Sequence, residues 1–226
     1  MIDRAKWLAG LRGEAQRRYD EQFSETYDRD DPPVGVTHRR FVAGVVASCA
    51  PGGAVLDAPC GTGKYFDVIL EAGRQVVGCD QSAGMLSRAA AKHPDVETRR
   101  ISLQDLDFDA AFDAVICVDA MEDVPPEEWP LVVANLRRAV RPGGQIYLTV
   151  EMTDEDWLIK AYDVGKARGL PVVAREDITR GDAYHHYPSL TQVREWLSDA
   201  GMVVVDEAHS EGDHPSYSYQ HFLTVA

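Results

Sequence analysis

The chain carries Val55-Leu56-Asp57-Ala58-Pro59-Cys60-Gly61-Thr62-Gly63 and then Val76-Val77-Gly78-Cys79-Asp80, with Asp80 standing 17 residues beyond Gly63. An apolar run ends in an acid, a Gly-x-Gly turn follows, a helix-like stretch opens, and a second apolar run ends in another acid. Glycine lets backbone approach a ligand closely, and a helix start offers N–H groups that have no partner within the helix. A carboxylate at the tip of the second strand can accept both hydroxyls of a ribose. The unit therefore reads as β-loop-α-β with a site for a nucleoside-containing cofactor. A dinucleotide fingerprint needs a third glycine where Phe66 stands, and a Walker loop needs a hydroxyl where Tyr65 follows Gly63-Lys64, so both readings are weakened.

Further polar groups follow later strand-like runs, at the strand ends where open α/β sheets hold their ligands. They are Asp119-Ala120-Met121-Glu122-Asp123, Glu151, and His185-His186-Tyr187 in the irregular stretch 168–188, with Tyr27 and His38 arriving from the N-terminal segment. A histidine pair beside a tyrosine offers a proton acceptor with a pKa near neutrality, and Asp123 and Glu151 are the carboxylate alternatives. The candidate catalytic residues are thus His185, His186, Asp123 and Glu151. Plainer readings stand beside them. Glu122 and Asp123 can form a solvated loop before Val124-Pro125-Pro126, Glu151 can simply end a strand with Thr153 capping the next helix, and the histidines can be loop polarity. His209, His214, His221, Tyr217 and Tyr219 fall near an edge hairpin, where packing explains them. No diagnostic ligand spacing such as H-x-x-x-H joins these groups, so no metal is expected.

The elements that must position these groups alternate. Residues 3–23 read as an amphipathic helix, broken by charge and proline over 28–33, and 37–49 as a second helix. Strands are expected near 54–57, 75–79, 97–101, 112–118, 144–150, 202–208 and 217–225, and helices near 63–72, 83–92, 128–140, 154–167 and 190–200. The last helix has Ser189 and Gln192 in a capping-box pattern and Gly201 as its stop. Strand–helix alternation implies a parallel sheet covered on both faces, and the final two strands, joined by Glu211-Gly212-Asp213-His214-Pro215 without a helix, suit an antiparallel edge hairpin.

Composition bounds the function. With 226 residues and 45% hydrophobic content the chain can bury one sizeable core, so a single domain, 1–226, is expected. A formal charge of −14 disfavours nucleic acid and anionic membrane as partners. Cys49, Cys60, Cys79 and Cys117 form no C-x-x-C pair and read as buried thiols. The opening Met1-Ile2-Asp3-Arg4-Ala5-Lys6 lacks an apolar signal core and no run has the ~18 apolar residues of a membrane span, so a cytoplasmic protein is expected.

With an edge hairpin after five alternating units, residues 37–226 resemble the class I S-adenosylmethionine (SAM) dependent methyltransferases. The block 55–63 with Asp80 is the most specific match, joined by Ser102-Leu103-Gln104-Asp105-Leu106, Phe112-Asp113-Ala114-Val115-Ile116, and Leu136-Arg137-Arg138-Ala139-Val140-Arg141-Pro142-Gly143-Gly144. The resemblance implies a Rossmann-like, doubly wound α/β fold with a seven-stranded sheet in the order 3-2-1-4-5-7-6, strand 7 antiparallel. Residues 1–50 would form a helical cover, 51–152 the SAM-binding half, and 153–226 the substrate-side insertion and last strands. It also implies roles. Gly61 and Gly63 would hold the methionine part of SAM, Asp57 and Ala58 would set that loop, and Asp80 would take the ribose hydroxyls. Gln81 and Met85 would flank the adenosine, Leu103 and Gln104 would bracket adenine, and Tyr27, Asp119 and Ala120 would stand near the charged end. Pro59 replaces a glycine common in such enzymes, Ser102 replaces an aspartate, and no histidine lies next to Asp123. The implied activity is methyl transfer to O, N or C of a small-molecule acceptor, leaving S-adenosylhomocysteine (SAH), by a monomer or homodimer. The alternative is a protein of this fold that uses SAM for other chemistry or binds it without turnover.

Overall fold

The computed structural model describes residues 2–30, 34–180, 183–211 and 217–226. Its sheet is built from β1 (Ala54–Asp57), β2 (Gln75–Asp80), β3 (Glu97–Arg100), β4 (Phe112–Cys117), β5 (Val140–Met152), β8 (Val203–Ser210) and β9 (Ser218–Val225), while β6 (Glu176–Asp177) and β7 (His185–His186) form a separate two-stranded ribbon. The seven-stranded order is β3-β2-β1-β4-β5-β9-β8, with β9 antiparallel to both neighbours. Counted within the sheet, this is the expected order 3-2-1-4-5-7-6. The loop joining β8 to β9, including His214, lies largely outside the described residues.

Helices cover both faces, as the nearly continuous burial of β1 and β4 requires. On one face α3 (Val36–Ser48), α4 (Phe66–Glu71) and α5 (Ala83–Lys92) bury Phe41, Val42, Val45, Phe66 and Ile69 against Val55 and Ile116. On the other, α6 (Trp129–Ala139) and α8 (Leu190–Asp199) bury Trp129, Val132, Leu136, Val193 and Leu197 against Leu56 and Val115. Each such side chain removed from water contributes roughly 1.5–3 kcal/mol. The four cysteines are all free thiols buried in this framework, and burial raises each thiol pKa, that of Cys79 to about 12.

Local chemistry sets the helix ends. Ser189 accepts the Gln192 N–H at 3.2 Å, and Gly201 (φ 76°) follows α8 in the left-handed conformation. Helix α7 (Glu155–Ala167) is capped by Asp154, whose carboxylate accepts the Trp157 N–H at 3.1 Å. Thr153, expected as the cap, instead accepts a hydrogen bond from Arg180 at 2.7 Å. The carboxylate is the stronger acceptor one position later. Among the described residues, no helix is long and apolar enough to cross a membrane.

The N-terminal cover departs from expectation. α1 (Arg4–Arg18) passes through a π-helical turn (Tyr19–Phe23) directly into α2 (Ser24–Asp30), so helix persists past Asp28. Tertiary contacts explain the persistence. Asp20 in the turn accepts from Ser82 Oγ at 2.7 Å and Gly84 N at 3.0 Å, and Asp28 accepts from Lys92 Nζ at 2.9 Å. At its other end α1 joins Leu8 to Val172, Ile178 and Tyr184 of the 168–188 segment, with Trp7 and Leu11 alongside.

Candidate active site

The loop after β1 divides its two glycines between different tasks. Both take left-handed φ values, 51° at Gly61 and 79° at Gly63. A Cβ at Gly63 would lie 2.8 Å from the Phe66 ring, so this glycine lets the chain turn against α4. Gly61 has no atom within 4 Å of that position and faces open space. Its N–H donates to Asp80 Oδ2 at 2.9 Å, while Asp80 Oδ1 accepts from Ser82 N at 2.8 Å. Burial raises the Asp80 pKa, and these backbone bonds oppose the rise.

A cavity opens between this loop and the cover. Tyr27, Gly61, Asp80, Gln81, Met85, Leu103, Gln104, Asp119 and Ala120 line it. Asp57, Ala58 and Gly63 do not line it. Lining residues that the sequence pattern did not single out include Arg12, Tyr19, Lys64, Tyr65 and Tyr184. Tyr19 was visible only as part of an amphipathic helix face, and nothing in its spacing marks it as a site residue.

Acidic groups gather at this end of the sheet. Asp57 is fully buried, and neither carboxylate oxygen has a hydrogen bond among the described residues. Burial, then the nearby Asp80 charge, pushes its pKa well above the usual carboxylate range. Asp119 takes a left-handed φ of 52°, uncommon for a non-glycine residue, and its Oδ1 lies 3.5 Å from His38 Nε2. Its amide donates to Thr149 Oγ1 at 2.9 Å, which holds it at the end of β4.

Asp123 also lines the cavity, and side chains from other elements stack behind it. Burial, partly offset by the Arg18 charge, lifts its pKa to about 6. His185 Nε2 lies 4.0 Å away, and His185 Nδ1 is 3.0 Å from the Tyr187 hydroxyl. That hydroxyl donates to Glu151 Oε1 at 3.3 Å. Burial raises the Glu151 pKa to about 7, and Glu122, half-buried beside it, is raised well above the ordinary range by burial and by the Glu151 charge. Of the candidate catalytic residues, Asp123, His185 and Glu151 are thus brought into one series. His186 is not. Successive residues of a strand point to opposite faces, and His186 turns toward Trp196, with ring centroids 6.3 Å apart. Both histidines are held near pKa 4, mainly by burial. Among the described residues no cluster of three metal-ligating side chains occurs.

Ion pairs fasten the cover around the cavity. Arg4 reaches Glu176 at 2.6 Å and Glu127 at 2.5 Å. Arg12 binds Glu128, whose carboxylate also accepts from Gln104 at 2.8 Å. Tyr184 donates to Glu176 at 2.6 Å, so the N-terminal helix and the 168–188 segment share one polar clasp.

This fold and site define a class I SAM-dependent methyltransferase. A family model described as a methyltransferase domain matches residues 55–144. A demethylmenaquinone methyltransferase of Streptomyces avermitilis is 30% identical over 173 residues, covering 72% of this chain and 73% of that protein. One from Renibacterium salmoninarum is 28% identical over 184 residues, covering 77% and 76%. Among solved structures, the 1,6-didemethyltoxoflavin-N1-methyltransferase of Burkholderia thailandensis superposes with a TM-score of 0.72 at 16% identity, over 100% of this chain and 91% of that one. Magnesium protoporphyrin IX methyltransferase from Synechocystis, solved with bound SAH, gives 0.70 at 19% identity, over 95% and 99%. The chain belongs to the SAM-dependent methyltransferase family, and its cofactor is SAM. The site suits that group: backbone room at Gly61, a strand-tip carboxylate at Asp80, and buried acids for a ligand that carries both a sulfonium and an ammonium.

Proposed function

We propose that this enzyme methylates a small-molecule acceptor at a nucleophilic O, N or C atom, with Asp123 as the residue that takes the acceptor's proton. One observation carries the reading: Asp123 lines the same cavity as Gly61 and Asp80, so a proton acceptor and the cofactor loop share one enclosure. Bound SAM supplies a methyl group already activated by its sulfonium. The chain's own residues then align the nucleophile, exclude water and remove a proton. In this reading Asp80 takes the ribose hydroxyls and Gln81 with Met85 flanks the adenosine. Leu103 and Gln104 bracket adenine. Gly61 holds the methionine end by backbone contact, Asp57 supports the loop with Ala58 and Gly63, and Tyr27, Asp119 and Ala120 stand by the charged end. His186 takes no part.

Leu8, Leu11, Ala15, Val124 and Pro125 give the cavity an apolar wall, which suits a flat or aliphatic acceptor. The names of the relatives point the same way, toward quinone precursors and, in one neighbour, a bound heteroaromatic. The acidic surface supports a small acceptor over nucleic acid.

The test is a radiolabelled methyl-transfer assay on a panel of reduced short-chain demethylmenaquinone, catechol and aniline. Asp123→Asn should lower kcat for the productive acceptor by about 100-fold or more while SAH affinity by calorimetry stays within a few-fold of wild type. Binding of SAH without transfer to any panel member, or full activity of Asp123→Asn, would overturn the assignment.

A further inference from the structure

The side chains behind Asp123 lead outward in order. Asp123 Oδ1 stands 4.0 Å from His185 Nε2, His185 Nδ1 stands 3.0 Å from Tyr187 Oη, and Tyr187 donates to Glu151 Oε1 at 3.3 Å. Glu151 Oε1 then lies 3.9 Å from Arg180 Nη1. The Glu151 side chain is 3% exposed and that of Arg180 is 35%, so the series ends at the surface. It draws on the turn before α6, the ribbon strand β7 with the residue just after it, and the tip of β5. Alignment of the methyl group does not call for Tyr187 or Glu151, yet both are buried polar groups held in register. A methylated O–H or N–H releases one proton per turnover, and the clasped cover stands over the cavity in which it is released.

We propose that Tyr187 and Glu151 are relay residues which, together with His185, carry the proton of methylation from Asp123 to the solvent edge at Arg180. The proposal rests on the reading of Asp123 as proton acceptor. In the transfer the acceptor–carbon bond forms, the sulfur–methyl bond breaks with its electron pair going to sulfur, and the acceptor's proton passes to the Asp123 carboxylate. Asp123 hands it to His185 Nε2 as the Nδ1 proton leaves for the Tyr187 oxygen and the Tyr187 proton leaves for Glu151. Glu151 releases it to water beside Arg180. The ring returns to its Nδ1–H tautomer by losing the Nε2 proton to water and regaining one at Nδ1, and a turn of the hydroxyl resets the tyrosine. Because one proton enters the ring as another leaves, no imidazolium accumulates.

The surrounding charges suit a relay. Burial holds the His185 pKa near 4, with Asp177 opposing and Arg180 and Arg18 adding to the fall, so the ring rests neutral and serves as a conduit. Burial raises Asp123 to about 6 and Glu151 to about 7, the latter against Arg180 and the Tyr187 hydrogen bond and with Asp119 and Asp123 adding, so both carboxylates can hold a proton close to neutral pH. Half-buried Glu122 faces the same pair, and its pKa is raised by burial and by the Glu151 charge. The 4.0 Å step from Asp123 to His185 is the one contact of the first three that is longer than a hydrogen bond, so the transfer calls for these two side chains to draw closer.

Tyr187→Phe and Glu151→Gln test the relay, because each keeps the shape and removes the proton-carrying function. SAH calorimetry on both comes first. Wild-type affinity shows that fold and cofactor site are intact, whereas a wild-type protein that fails to bind SAH overturns the cofactor reading and leaves the relay to the next measurement. That measurement is 15N NMR of histidine-labelled protein, with His185→Asn to assign the signal, and it needs no acceptor. At pH 7.5 His185 is expected to carry its proton on Nδ1, and Tyr187→Phe should abolish that preference. In turnover, with whichever panel member is methylated, both variants should lose about tenfold or more in kcat at unchanged acceptor KM. The rise of kcat through pH 7, as Glu151 ionises to receive the proton, should vanish in both. A His185 proton resting on Nε2 in wild type, or variants that keep wild-type kcat or keep the pH 7 limb, would overturn the proposal.

Discussion

A methyl group added at Gly63 would lie 2.8 Å from the Phe66 ring, while one added at Gly61 would meet nothing within 4 Å. Both positions have left-handed backbone, so any side chain costs about 1–2 kcal/mol there. Gly63→Ala adds overpacking of about 1–3 kcal/mol, so it should lower unfolding stability by about 2–5 kcal/mol in a urea titration. Gly61→Ala should lose less stability but bind SAH more than tenfold more weakly by calorimetry, because its new methyl enters the cavity. Equal SAH affinity for Gly61→Ala and wild type would remove the loop from the cofactor site. The motif made both glycines visible in the sequence, but not their division of labour, because packing against Phe66 is a tertiary fact. The histidine pair shows the same limit. Two adjacent histidines suggested a doubled base, and the strand β7 then sent them to opposite faces.

Gly84 is the close-approach point between the cover and the cofactor-binding half. A Cβ there would lie 2.6 Å from the Asp20 carbonyl and 2.8 Å from Ser24 Oγ, both in the segment that passes over the cavity. Gly84→Ala should therefore lift the π-helical turn off α5 without touching the sheet. The expected result is SAH release several-fold faster in stopped flow with a melting temperature within a few degrees of wild type. An unchanged release rate would mean that the cover does not gate the cofactor. Most elements were legible because alternation of period and turn residues survives in the sequence: the Ser189 cap, the Gly201 stop and the apolar runs of β1 and β4 each announce themselves. The ribbon β6–β7 was hidden because two residues per strand carry no period. The run from α1 through the turn into α2 was hidden because its persistence past Asp28 comes from Ser82, Gly84 and Lys92, which are distant in the sequence.

The molecule as a whole concentrates raised carboxyl groups at the carboxyl ends of its parallel strands. Asp57, Asp80, Glu122, Asp123 and Glu151 all bind protons more tightly when folded than when unfolded. The folded chain then holds more protons than the unfolded one, so stability falls as pH rises from about 4 through the folded values, about 6 for Asp123 and about 7 for Glu151. Asp20, Asp28, Asp113 and Glu127 are lowered and withdraw their support only as pH falls through their depressed values. His185 and His186, held near pKa 4, oppose that fall between about pH 4 and 6.5, so the melting temperature should stay near its maximum over pH 5–6 and decline toward pH 8, and SAM should reduce the decline by bringing positive charge to the acids. Scanning calorimetry across that interval checks this, and a melting temperature that climbs steadily to pH 8 would contradict it. The buried thiols have a separate practical outcome. At neutral pH none of the four presents an exposed thiolate, so the unaltered chain is already a silent background for maleimide dyes. One new cysteine on the outer face of α1 and another on that of α5 would take a donor and an acceptor fluorophore, and single molecules could then be watched as the roof lifts and reseats.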